Sequence, residues 1–107
     1  MLNKSQVEKI QEEYRVENKT LSIIFSALSD PGRLQIFKIL LVHSGVCVSD
    51  IANILNVSVP AASRQLKILE TSGLIEKVRQ GQATCFKVDR KAIRTKLVID
   101  VLKKVGA

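Results

Sequence analysis

The chain has 107 residues, 46% of them hydrophobic, and carries 17 lysines and arginines against 10 aspartates and glutamates, for a formal net charge of +7. That length fits one domain with a modest core, small enough for pairing with a second copy to help it. No apolar run is long enough to cross a bilayer, and the charged start MLNKSQVEKIQEEY lacks the apolar centre of a signal peptide. Two cysteines, Cys47 and Cys85, do not make a secreted disulfide framework, so a cytoplasmic protein is expected.

In chain order, Ile10, Tyr14, Leu21, Ile24, Phe25 and Leu28 recur at helical spacing, with an interruption expected near Asn18. The stretch SDPGRLQIFKILLVHSG predicts a second helix: Asp30 caps it, Pro31 suits its first position and Gly45 ends it. Leu34, Phe37 and Leu41 line one side, and Ile36, Ile39 and Leu40 broaden that side into a buried helix. Val46, Cys47 and Val48 favour a short strand. Ser49 is placed to cap a short third helix carrying Ile51, Ile54 and Leu55. Asn56 tolerates a left-handed backbone, and Ser58 caps a fourth helix with Pro60 in its first turn.

Two helices joined by about three residues have the spacing of a helix-turn-helix. Ala52 and Ala62 are small where the two would cross, and the fourth helix should end near Ser72 and Gly73. Residues 74–79 and 83–88 alternate well enough for two strands, joined by the RQGQ tip with Gly81 free to take positive φ. Asp89 is expected to cap a last helix striped by Ile93, Leu97, Val101 and Val105 and widened by Val98 and Leu102. The fold expected is mainly α with a small antiparallel β-hairpin wing: a single winged helix-turn-helix domain of about five helices over residues 1–107. Residues 48–72 form its helix-turn-helix and 74–88 its wing.

The charge is unevenly spread. Residues 1–19 hold four basic and four acidic groups, and 20–57 hold two of each. Residues 58–87 hold five basic against two acidic and 88–107 six against two, so the excess sits in the C-terminal half. With Ala62, Leu66 and Leu69 turned inward, the fourth helix offers Ala61, Ser63, Arg64, Gln65 and Lys67 around its remaining circumference. That mixture suits the major groove of double-stranded DNA: Arg pairs with guanine, Gln with adenine, and small residues allow close approach. Ser58 and Ser63 hydroxyls bond phosphate or base edges. Arg79, Gln80 and Gln82 at the hairpin tip are placed to reach the neighbouring groove or backbone.

Other functions fit less well. One histidine, no Gly-rich phosphate loop and no histidine beside a nucleophile leave no catalytic site to assemble, so no enzyme is expected. A winged-helix protein-interaction module is the alternative, disfavoured by the basic helix face beside a basic wing. Only four aromatics, three Phe and one Tyr, argue against RNA stacking platforms.

The segments FSALSDPGRLQIFKIL, VCVSDIANILNVS and ASRQLKILETSGLIEKVRQGQ, with the strand after them, resemble the ArsR-type family of bacterial winged helix-turn-helix repressors over about residues 25–88. The resemblance implies a homodimer held by its first and last helices, residues 1–28 and 89–107. It implies repression through a palindromic operator, relieved by an inducer, with helix 59–72 and wing 79–82 on the DNA. Ser58, Ser63, Arg64 and Gln65 fall where such proteins contact DNA, although the VPAA at 59–62 is less polar than many members show there.

Many members bind metal through a Cys-x-Cys-Asp segment. The matching stretch here is CVSD, with Ser49 in place of the second thiolate, and the last helix has Asp89 and Asp100 but no histidine. Cys47, Cys85 and His43 are a poor supply for a borderline metal, so no metal or other cofactor is expected. Cys47 and Cys85 lie on segments that winged domains pair, which allows a redox pair. The reading favoured from sequence is that both simply pack as small apolar groups.

Overall fold

The computed structural model describes residues 1–15 and 19–106. Among these it has six helices and a three-stranded antiparallel sheet, where the sequence suggests about five helices and a hairpin. The N-terminal helical region is two elements, α1 (Lys4–Glu13) and α2 (Lys19–Leu28). The interruption expected near Asn18 lies outside the described residues.

A reciprocal cap starts α1. Asn3 Oδ1 accepts from the Gln6 backbone N–H at 2.8 Å, and Gln6 Oε1 accepts from the Asn3 N–H at 2.9 Å. No residue of α1 is buried, and the molecule is elongated, 61 × 28 × 23 Å. α2 buries Ile24 and Ala27 and leaves Phe25 exposed.

α3 (Pro31–Val42) starts where Asp30 and Pro31 require it, with Asp30 Oδ2 accepting from the Arg33 N–H at 3.0 Å. Ile36, Phe37 and Leu40 are the fully enclosed centre of the core. Leu34 and Leu41, expected beside them, are only half-buried. Replacing Asp30 by Ala should lower stability by about 1 kcal/mol in urea titration, and Asp30→Asn should retain most of it. Equal midpoints for Asp30→Ala and the parent would deny the cap any role.

β1 (Val46–Cys47) runs directly into α4 (Val48–Leu55). The cap is therefore Cys47 and not Ser49, which sits inside the first turn: the Cys47 N–H donates to Asp50 Oδ2 at 3.0 Å. Pairing of β1 with the sheet holds Cys47 extended and moves the helix start back by two residues. Asn56 ends α4 with φ 55° and ψ 50°, turning the chain into α5 (Val59–Thr71), which Ser58 caps by accepting from the Ala61 N–H at 3.2 Å.

β2 (Ile75–Gln80) and β3 (Ala83–Val88) form the hairpin, and the sheet order is β1-β3-β2. Gln80 pairs with Ala83, so the turn is Gly81–Gln82 alone, with Gly81 at φ 63°. Arg79 and Gln80 belong to the strand and not to the tip.

α6 (Ile93–Lys104) starts after Ala92, without the side-chain cap expected from Asp89. Asp89 accepts from the Lys91 N–H in the preceding turn, and Arg90 donates to Leu41 O at 2.6 Å. Residues 89–92 form a turn before the helix, with the Asp89 N–H donating to Leu74 O at 3.0 Å. Gly73, at φ 82°, lies beneath the Arg94 guanidinium, which donates to its carbonyl at 3.3 Å and would have to shift to admit a Cβ.

Candidate nucleic-acid interface

The platform under the interface is apolar. Ala62, Leu66 and Leu69 are buried at 0% exposure and seat α5 on Ile36, Ile51 and Leu74 of the same core. Ala52 and Ala62, both buried, let α4 and α5 approach closely. A helix fixed by three fully buried residues at positions four and three apart cannot roll without exposing them. Its outer face is thereby set by the inner one.

That outer face carries Ser58, Ser63, Arg64 and Lys67, all exposed, with Ala61 half-buried among them. Lys67 Nζ stands 3.6 Å from Glu70 Oε1 on the surface, a weak pair that a phosphate can replace. Val59 and Ile68 are also exposed on α5, at 51% and 42%. Residues 57–60 expose the start of the helix beside them.

Gln65 departs from the expectation. It is half-buried, and its Oε1 accepts from Arg33 Nη1 at 2.9 Å. The same guanidinium donates through Nε to Ala27 O at 2.7 Å and through Nη2 to Ser26 O at 3.3 Å. One arginine thus joins the end of α2, the start of α3 and the middle of α5. Nothing in local sequence signals this, because Arg33 and Gln65 are 32 residues apart.

The wing lies beside α5 across an open cleft of about 480 Å³, lined by Ser63 and Lys67 on one wall and by Lys77, Ala83 and Thr84 on the other. Lys77 was not singled out from sequence, and its place opposite Lys67 adds a second cation to the cleft. Of the predicted wing residues, Arg79 and Gln82 are exposed, Arg79 paired with Thr84 across the hairpin. Gln80 is exposed too, but its amide lies over Gly45, so it does not stand with Gln82 at the tip.

Cys47 and Cys85 face each other across β1 and β3, with Cα atoms 3.7 Å apart, and are joined as a disulfide. The favoured expectation of two separately packed thiols is corrected by this pairing. The bond ties the start of α4 to the inner strand of the wing, and Cys47 lines the cleft while Cys85 is fully buried. Among the described residues, no three His, Cys, Asp or Glu side chains come together as a metal site would need. No described helix is long and apolar enough to cross a membrane.

The comparisons with known proteins agree with this architecture. Residues 30–77 match the model of the bacterial regulatory protein, arsR family. A cadmium resistance transcriptional regulatory protein CadC homolog of Staphylococcus aureus is 31% identical over 66% of this chain, which spans 59% of that relative's length. An uncharacterized HTH-type transcriptional regulator, YbzH of Bacillus subtilis, is 37% identical over 65% of this chain and 84% of its own length. Among solved structures, the homodimeric winged helix-turn-helix DNA-binding domain of a possible ArsR-family regulator from Mycobacterium bovis superposes with a TM-score of 0.71. It is 23% identical, over 81% of this chain and 78% of its own, a likeness of fold. With residues 30–77 matching that family's model and a relative 37% identical over 84% of its own length named as an HTH-type transcriptional regulator, the chain belongs to the arsR family of bacterial regulatory proteins.

Proposed function

We propose that the protein is a cytoplasmic, sequence-specific DNA-binding repressor that acts as a homodimer on a palindromic operator. Helix α5 enters the major groove with Ser58, Ala61, Ser63, Arg64 and Gln65 at or near base edges. Lys67, Arg79 and Gln82 take the flanking backbone, and Gln80 adds to the wing beside them. The observation that carries this reading is an exposed, basic α5 face locked onto the core by Ala62, Leu66 and Leu69, beside a wing that adds Lys77 and Arg79.

The dimer is supported by the faces the fold leaves open. Ile93, Leu97 and Val101 on α6 and Val105 at its C-cap form one stripe, exposed by 75%, 59%, 57% and 71%. Phe25 on α2 and Tyr14 after α1 are 65% and 78% exposed. Apolar side chains aligned in this way mark an association surface, and a second copy supplies the matching one. A dimer also sets two α5 helices about one DNA turn, roughly 34 Å, apart.

Duplex binding measured against salt tests the proposal. Lys67 and Arg79 from two copies give four cations near phosphate, so log K should fall with log salt at a slope of about −4. A flat response, or no binding to any duplex, would favour the protein-interaction module instead.

A further inference from the structure

We infer that Gln65 reads DNA as a hydrogen-bond donor only, held in that role by Arg33, and selects guanine or thymine at its position in place of adenine. The inference rests on the DNA-binding reading above and specifies what one side chain of that interface recognises.

A glutamine reads adenine with both ends of its amide: Nε2 donates to N7 while Oε1 accepts from the N6 amino group. Both atoms must face the base side by side. Here Oε1 is turned back to Arg33 Nη1 at 2.9 Å. The assignment of oxygen to that contact is chemically forced, because a guanidinium has five donors and no acceptor. The contact is also anchored, because Nε and Nη2 of the same group donate to Ala27 O and Ser26 O at the end of α2. Swinging Oε1 round to a base would leave a half-buried guanidinium N–H without its partner, which is disfavoured.

The end of Gln65 left for DNA is therefore Nε2, with donors alone. Guanine offers O6 and N7 and thymine offers O4 as acceptors in the major groove. Adenine offers Nε2 its N7 alone, beside an N6 amino donor that Nε2 cannot meet, whereas guanine offers N7 and O6 side by side; cytosine offers only a donor. Arg33 becomes a positioning residue for specificity, touching no base itself.

Duplexes selected from a random library by the full-length parent chain, by Gln65→Glu and by Gln65→Ala test this. Gln65→Glu keeps an oxygen for Arg33 and so preserves the packing, but it turns the outward group from donor to acceptor. At one position of each half-site the parent should select guanine or thymine over adenine by about tenfold or more, Gln65→Glu should shift that position to cytosine, and Gln65→Ala should lose the choice there alone. Selection of adenine by the parent at the Gln65-dependent position overturns the inference. So does a set of selected sites in which no position responds to either substitution. Failure of the parent to enrich any duplex is a different result and overturns the DNA-binding reading itself.

Discussion

A chain carrying Leu97→Glu and Val101→Glu should run as a monomer in sedimentation and lose operator affinity by about 10²–10⁴-fold. Both residues lie on the exposed stripe of α6, 59% and 57% open to solvent, so the substitutions disturb little of the subunit's own core. In a dimer they would place four carboxylates in an apolar contact, where desolvation and like-charge repulsion both oppose association. Without the dimer each α5 binds its half-site alone, and the advantage of presenting the second helix at high local concentration is gone. Circular dichroism should be unchanged, because Val98 and Leu102 still pack against the core. A double variant that stays dimeric, or that binds the operator as tightly as the parent, would remove α6 from the interface.

Opening the Cys47–Cys85 disulfide with a reductant should lower the unfolding free energy by about 4 kcal/mol at 25 °C, the chain-entropy value for its sequence separation of 38 residues. The bond is placed to matter: it joins β1, which leads directly into α4, to β3, the middle strand of the sheet. In the unfolded chain it closes the segment that contains α4, α5 and β2. Urea titrations with and without dithiothreitol, and of Cys47→Ser in parallel, measure the effect. Coincident midpoints, or intact mass showing two free thiols in the untreated protein, would contradict it. Equal operator affinity in the two states would confine the bond to stability and leave no redox switch.

The parts of this fold readable from sequence share one property: their signals lie within a few residues of what they determine. Asp30 followed by Pro31 starts α3, and Ser58 with Pro60 starts α5, because a cap acts on N–H groups two or three positions ahead. Asn56 makes the left-handed turn between α4 and α5 by its own backbone preference. The inward set Ala62, Leu66 and Leu69 follows from helical periodicity, which in the same stroke leaves Ser63, Arg64 and Lys67 outside.

The misreadings share the opposite property. Ser49 lost the cap to Cys47 because pairing with Phe86 and Cys85, far along the chain, holds residues 46–47 as strand. Asp89 does not cap the last helix: it accepts from the Lys91 N–H in a turn that Arg90 ties to Leu41 and the Asp89 N–H ties to Leu74. Arg79 and Gln80 joined the strand because Thr84 and Ala83 pair with them. By itself the sequence determined where helices start and stop, which face of α5 is apolar and which half of the chain is basic, since each depends on covalent neighbours and on period. Only the tertiary structure decided that Gln65 answers to Arg33, that Lys67 and Lys77 share a cleft and that the two cysteines meet, since contacts between residues tens of positions apart arise from the packed core and leave no local trace.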